Sequence, residues 1–153
     1  MTHLATIGYE GATVQGFLEA LRVAHVELLI DVRAVAMSRR PGFAKTRLAA
    51  NLAETGIEYL HLRGLGTPAD GRAAARAGRH NEMKRIYLEH LATPVAQTDL
   101  LILEGIVQSG RSVALLCFEA DPSHCHRSLI VDAMMAHLSL AVSHLVPIDD
   151  DVD

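Results

Sequence analysis

The run Ser112–Phe118 reads Ser-Val-Ala-Leu-Leu-Cys-Phe and is apolar from Val113 onward, so it has no side to turn toward water. Val26–Val32 is similar, interrupted only by Glu27 before it ends at Asp31 and Val32. Nearly continuous apolar strands are buried on both faces, as in parallel sheets whose crossover helices cover each side. The chain supplies such helices. Apolar residues recur at helical spacing over Thr13–Ala24, Lys45–Thr55, Glu82–Leu91 and Val95–Gln108, and again from the Asp121–Ser123 region to about His137. Further strands are predicted at Leu4–Gly8, Ile57–Leu62 and Ala141–Val146. The alternation predicts a single α/β domain over residues 1–148. Its mostly parallel sheet is flanked by helices in a Rossmann-like, three-layer arrangement, and residues 149–153 form an acidic tail. Arg63–Arg79, rich in Gly, Ala and Arg, reads as a loop or a loosely held helix.

Composition narrows the function classes. With 153 residues, half of them hydrophobic and 21% charged, the chain can bury one core and is not a disordered tract. No apolar run approaches the roughly 18 residues of a membrane span, so no membrane partner is expected and the chain is expected to be cytoplasmic. Two cysteines are too few for a disulfide scaffold, and both fall in one short segment, as a reactive or ligating pair would.

The net charge of −4 conceals a segregation: residues 33–85 carry eleven of the fourteen Lys and Arg but only four of the eighteen acids. A cationic stretch inside an acidic protein is either a solvated face or a surface for phosphates or nucleic acid.

If the strands are parallel, their carboxyl ends share one rim, where open α/β sheets bind ligands. That rim gathers Tyr9 and Glu10, then Asp31 and Arg33, then His61, then Cys117 and Glu119. Asp31 and Arg33, two apart on a strand, project to one side and form an ion pair or an acid–base group beside a cation. The turn Ser38-Arg39-Arg40-Pro41-Gly42 presents two guanidiniums suited to bidentate phosphate or carboxylate contacts. The segment from Cys117 to Arg127 leaves the best strand and opens a helix. Backbone N–H groups near Cys125, His126 and Arg127 can therefore hold an anion, and the helix start favours a thiolate at Cys125. Cys117, Glu119, His124, Cys125 and His126 offer enough atoms for a metal, but at none of the usual zinc spacings, and no metal site is assigned. The spacing also lacks a Cys-X5-Arg phosphatase loop, a Cys-X-X-Cys redox motif and a Walker loop. Gly64-Leu65-Gly66-Thr67-Pro68-Ala69 matches the dinucleotide glycine pattern only superficially. His80 and His90 read as surface residues, His137 and His144 as residues at the edge of the core.

With these pieces assembled, the chain resembles the domain-of-unknown-function family 488. The matching residues are Thr6–Gly11, Asp31-Val32-Arg33, Ser38-Arg39, Pro41-Gly42-Phe43, Gly56–Tyr59 with His61, Leu65-Gly66, Leu115–Glu119 and Cys125-His126-Arg127. Where the family pattern leads one to expect a proline between Arg33 and Ser38, and a second glycine after Gly66, this chain has Ala34-Val35-Ala36-Met37 and Thr67. The resemblance implies a compact α/β domain with these positions as its signature, and it implies no reaction.

The resulting expectation is a phosphate-bearing ligand, a nucleotide or nucleic acid, bound at the strand carboxyl rim. Tyr9, Glu10, Arg33, Ser38, Arg39, Arg40, His61, His126 and Arg127 are the candidate contacts. Cys125 or Cys117 would be the nucleophile or redox thiol, and Glu119 or Asp31 the acid–base group. The alternatives are a noncatalytic nucleic-acid or protein-binding module and a Cys/His metal-binding or redox-sensing domain. The sequence names neither a cofactor nor an oligomeric state.

Overall fold

A computed structural model of the chain describes residues 2–148. The expected acidic tail, 149–153, lies outside the described residues. Among the described residues the chain runs β1 (Thr2–Gly8), α1 (Val14–Val23), β2 (Leu28–Asp31), α2 (Lys45–Glu54), β3 (Glu58–His61), α3 (Ala69–Arg76), α4 (His80–Leu91), α5 (Pro94–Gln108), β4 (Val113–Cys117), α6 (His126–Met135) and β5 (Leu140–Leu145). The five strands form one sheet in the order β3-β2-β4-β1-β5, and every pairing is parallel. The α/β architecture with helices on both faces is thus the expected one.

The apolar run that demanded burial on both sides is the middle strand. All five residues of β4 are buried, and they alternate between two cores. Ala114 and Leu116 pack with Phe17 and Leu21 of α1 and Leu48 and Leu52 of α2. Val113 and Leu115 pack with Ala74 of α3, Tyr87 of α4, Leu103 of α5 and Ile130 of α6. Cys117, next in alternation, turns toward the α6 side.

This wiring creates a crevice. β1 and β4 are neighbours, with Gly8 beside Cys117, yet the chain leaves β1 for α1 on one face and leaves β4 for α6 on the other. Divergence of adjacent connections at the strand carboxyl ends defines the switch point at which open α/β sheets bind ligands.

Three stretches that the sequence left loosely defined take definite form. The Arg63–Arg79 stretch is a 3-10 turn, Arg63–Leu65, followed by a full helix, α3, which packs through the small residues Gly71 and Ala74. Gly64 and Gly66 form no dinucleotide loop: the Gly64 N–H donates to Asp99 Oδ2 at 2.7 Å, and a Cβ on Gly66 would overlap the Ala34 backbone. Asp121 does not cap α6 but a separate 3-10 turn, Pro122–His124; the cap of α6 is Cys125, whose sulfur accepts from the Arg127 N–H.

Candidate functional site

The carboxyl rim holds two polar clusters, one on each face of the sheet. On the α1–α2 face, Asp31 is fully buried and its carboxylate is saturated. Oδ1 accepts from the Arg33 backbone N–H at 3.0 Å and from Arg33 Nε at 2.9 Å. Oδ2 accepts from Arg33 Nη2 at 2.7 Å and from the Tyr59 hydroxyl at 2.6 Å. Arg33 Nη1 donates to the Tyr9 hydroxyl at 3.2 Å and the Phe43 carbonyl at 2.8 Å. Burial alone would lower the Arg33 pKa, but hydrogen bonds and charge from Asp31 outweigh it and raise the pKa. A carboxylate so engaged has no lone pair directed at a substrate, which removes the geometric basis for an acid–base role of Asp31, and Arg33 carries its counterion with it. His61 belongs to the same framework, donating from Nε2 to the Arg33 carbonyl at 2.7 Å. Tyr9 stacks on Phe43 with centroids 4.5 Å apart and meets Phe118 edge-on at 5.4 Å.

The α6 face carries the sulfur cluster. Cys117 ends β4, Cys125 caps α6, and both are almost fully buried. Their sulfurs meet in a disulfide contact, with Cα atoms 7.3 Å apart. Arg127, in the first turn of α6, is 0% exposed. Its Nη1 donates to Cys117 Sγ at 3.3 Å and to the Glu119 carbonyl at 3.0 Å, and its Nη2 donates to the Ala120 carbonyl at 3.0 Å. Its Nε is buried without a partner, and among the described residues no carboxylate lies within ion-pair distance of it. Burial pushes its pKa down, against the charges of Glu119 and Asp121. Glu10 holds the same loop from outside, accepting from the Ala120 N–H at 3.0 Å. His126 donates from Nε2 to the Val32 carbonyl at 2.7 Å, so the carbonyl fixes the tautomer and Nδ1 is left unprotonated, 3.6 Å from Cys125 Sγ. Burial pushes its pKa down to about 4. One oxygen of the Glu119 carboxylate and the two sulfurs lie within 4.8 Å of one another. Burial raises the Glu119 pKa, a nearby Glu10 adds to this, and its own backbone N–H, Arg127 and His80 oppose it.

Between the clusters opens a cavity of about 370 Å³. Of the candidate residues named from the sequence, Tyr9, Arg33, Ser38, Glu119 and His126 line it, with Phe118 between them. It is completed by residues the sequence reading missed: Thr67, Arg72 and Arg76 of the glycine-rich stretch, Met83, and His124. His80 stacks on His124 at 4.1 Å, and His90 donates to the Gly64 carbonyl at 2.8 Å, so neither is a free surface residue. His137 and His144, in contrast, are exposed, with partners in Glu104 and Thr6. The Arg72/Arg76 spacing of one helical turn was the available signal for the missed cations.

Arg39 and Arg40 do not reach this cavity. They line a separate depression with Arg47 and Asn51, where Arg40 Nη2 donates to the Ala12 carbonyl and the Ser38 hydroxyl accepts from the Arg40 N–H. Of the four arginines expected at a bound anion, Arg33 and Arg127 are thus committed within the protein, and Arg39 and Arg40 face elsewhere.

A parallel sheet covered on both sides, with a part-apolar cavity at its switch point, defines an α/β protein. Within that class the chain belongs to the family described as domain of unknown function DUF488, whose profile matches residues 13–134. No curated protein and no solved structure matches the chain. Among the described residues no helix is long and apolar enough to cross a membrane.

Proposed function

We propose that the chain binds a phosphate-bearing small molecule of nucleotide size in the rim cavity and acts on it with Glu119 as the acid–base group. The observation that carries this reading is the make-up of the wall. Arg72 and Arg76 share it with the aromatic rings of Tyr9 and Phe118, the apolar side chains of Val35, Met37 and Met83, and Glu119. Guanidiniums match phosphate geometry, and the apolar surface suits a flat organic body. A volume of about 370 Å³ suits a single nucleotide and not a polymer. The raised Glu119 pKa favours a carboxyl that can hold a proton until it is needed. In this reading Arg33 lines the cavity, Arg127 fastens the loop that carries Glu119, and neither holds the phosphate.

The test is a thermal-shift series with nucleosides, nucleoside phosphates and inorganic phosphate at low and moderate salt. A nucleoside phosphate should raise the melting temperature of the parent at moderate salt, with the shift reduced in Arg72→Ala and Arg76→Ala. Equal shifts in parent and variants, or none with any nucleoside phosphate, would overturn the reading. A second reading, docking of nucleic acid, is favoured by one observation: Arg39, Arg40 and Arg47 line the other depression. It predicts oligonucleotide binding that weakens steeply with salt and with loss of Arg39 and Arg47, and ignores Arg72.

A further inference from the structure

The cavity chemistry leaves Cys117 and Cys125 without a task. Their Cα separation of 7.3 Å exceeds the roughly 4.4–6.8 Å that disulfides usually span. Two thiolates bound to one ion at about 2.3 Å hold their sulfurs roughly 3.7 Å apart in a tetrahedral site and accept a wider backbone. A third donor converges with them, because a Glu119 carboxylate oxygen lies within 4.8 Å of both sulfurs. His126 Nδ1 lies 3.6 Å from Cys125 Sγ, next to but not among the three donors that converge within 4.8 Å of one another. Its ring is held from behind by the Val32 carbonyl at 2.7 Å, the way metal-binding histidines are oriented by an acceptor on the far nitrogen.

Charge supports the same conclusion independently. Arg127 is fully buried with no carboxylate within ion-pair distance among the described residues, and its Nη1 points at Cys117 Sγ. A buried guanidinium needs an anionic neighbourhood. Two thiolates and a carboxylate, set against one dication and one guanidinium, leave the buried cluster electrically balanced.

We propose that in the reduced protein Cys117, Glu119 and Cys125, with His126 Nδ1 beside them, bind a borderline-soft divalent ion of the zinc type. Binding forms two sulfur–metal bonds and one bond from a Glu119 carboxylate oxygen, and releases to solvent the two thiol protons together with any proton held on Glu119. Thiolate donors select such ions over magnesium and calcium. A disulfide between the same sulfurs and a bound ion exclude each other. The inference does not rest on the phosphate reading but meets it at Glu119, whose carboxylate a bound ion would hold; no phosphate ligand enters its test.

The probe is Co2+ added to protein kept reduced with a phosphine. About one equivalent should bind, give a sulfur-to-cobalt charge-transfer band, and shield both thiols from a thiol reagent; Zn2+ should abolish the band. Cys125→Ser should lose most of the band. Because a cysteine variant can fail to fold, Glu119→Gln carries the decision: with its melting temperature near that of the parent, it should retain the band but bind Co2+ at least about 10-fold more weakly. A folded, reduced parent whose two thiols stay reactive in excess Co2+ overturns the site. Unchanged affinity in Glu119→Gln overturns the ligand set.

Discussion

Gly8 and Arg127 occupy one space between them: a Cβ on Gly8 would overlap the Glu119 carbonyl oxygen and stand 2.6 Å from Arg127 Nη1. The glycine at the end of β1 is what allows the β4 loop and the first turn of α6 to close over the switch point. Gly8→Ala must displace backbone, not a flexible side-chain tip. The expected cost is about 1–3 kcal/mol or more, measured by urea unfolding. A variant as stable as its parent would mean that the loop does not lie against β1.

Arg127 fastens that loop from within, through the carbonyls of Glu119 and Ala120. Arg127→Met keeps much of the volume but leaves both acceptors without their donor, at about 1–3 kcal/mol for each buried group left unsatisfied. Stability should fall by about 2–4 kcal/mol, and amide exchange should rise over residues 117–121. Loss of stability without faster exchange there would show that the guanidinium does not hold the loop.

Asp31 and Arg33 form a buried pair, so removing one partner strands the other. Asp31→Ala should destabilise by about 3–5 kcal/mol. Asp31→Ala combined with Arg33→Met should recover part of that loss, because no unpaired charge remains. A double-mutant cycle with zero coupling energy would contradict the pairing seen here.

Tyr59 and Tyr87 should resist ionisation. Burial raises the pKa of both above that of an exposed tyrosine, and for Tyr59 the hydrogen bond and charge of Asp31 add to it. The unfolded chain therefore loses these phenolic protons first as pH rises. Their stabilising contribution is complete below about pH 10 and is lost as pH climbs from there toward the folded values. Phenolate absorbance of the native protein should develop for these two rings only as the chain unfolds, whereas the denatured chain titrates near pH 10. Full native-state titration near pH 10 would exclude the enclosure of both rings.

The parts of this fold that were readable in the sequence are those set by side-chain periodicity. The two-sided burial of β4 and the rim that joins Tyr9, Asp31, His61 and Cys117 both follow from it. What escaped has two physical causes. Helix α3 buries only Gly71 and Ala74, so no large apolar stripe announces it, and the cavity cations Arg72 and Arg76 were hidden with it. Arg33 and Arg127 read as anion-binding because charge is visible in a sequence and burial of charge is not. Arg33 is turned inward by Asp31 and Tyr9, and Arg127 by carbonyls that the β4 loop brings back over it.

The cluster on the α1–α2 face and the cavity's cations differ in how readily they could be replaced. Everything on the α1–α2 face is tied to the sheet by several hydrogen bonds, whereas the cavity's cations ride on α3, within the single long excursion from β3 to β4. That excursion reaches the rim through Gly66, seated against Ala34, and through the Tyr87 hydroxyl, which donates to the Leu65 carbonyl at 2.7 Å. On the proposed reading, recognition and scaffold are thereby physically separable: exchanging α3 for a helix of another charge pattern would give the same sheet a different appetite.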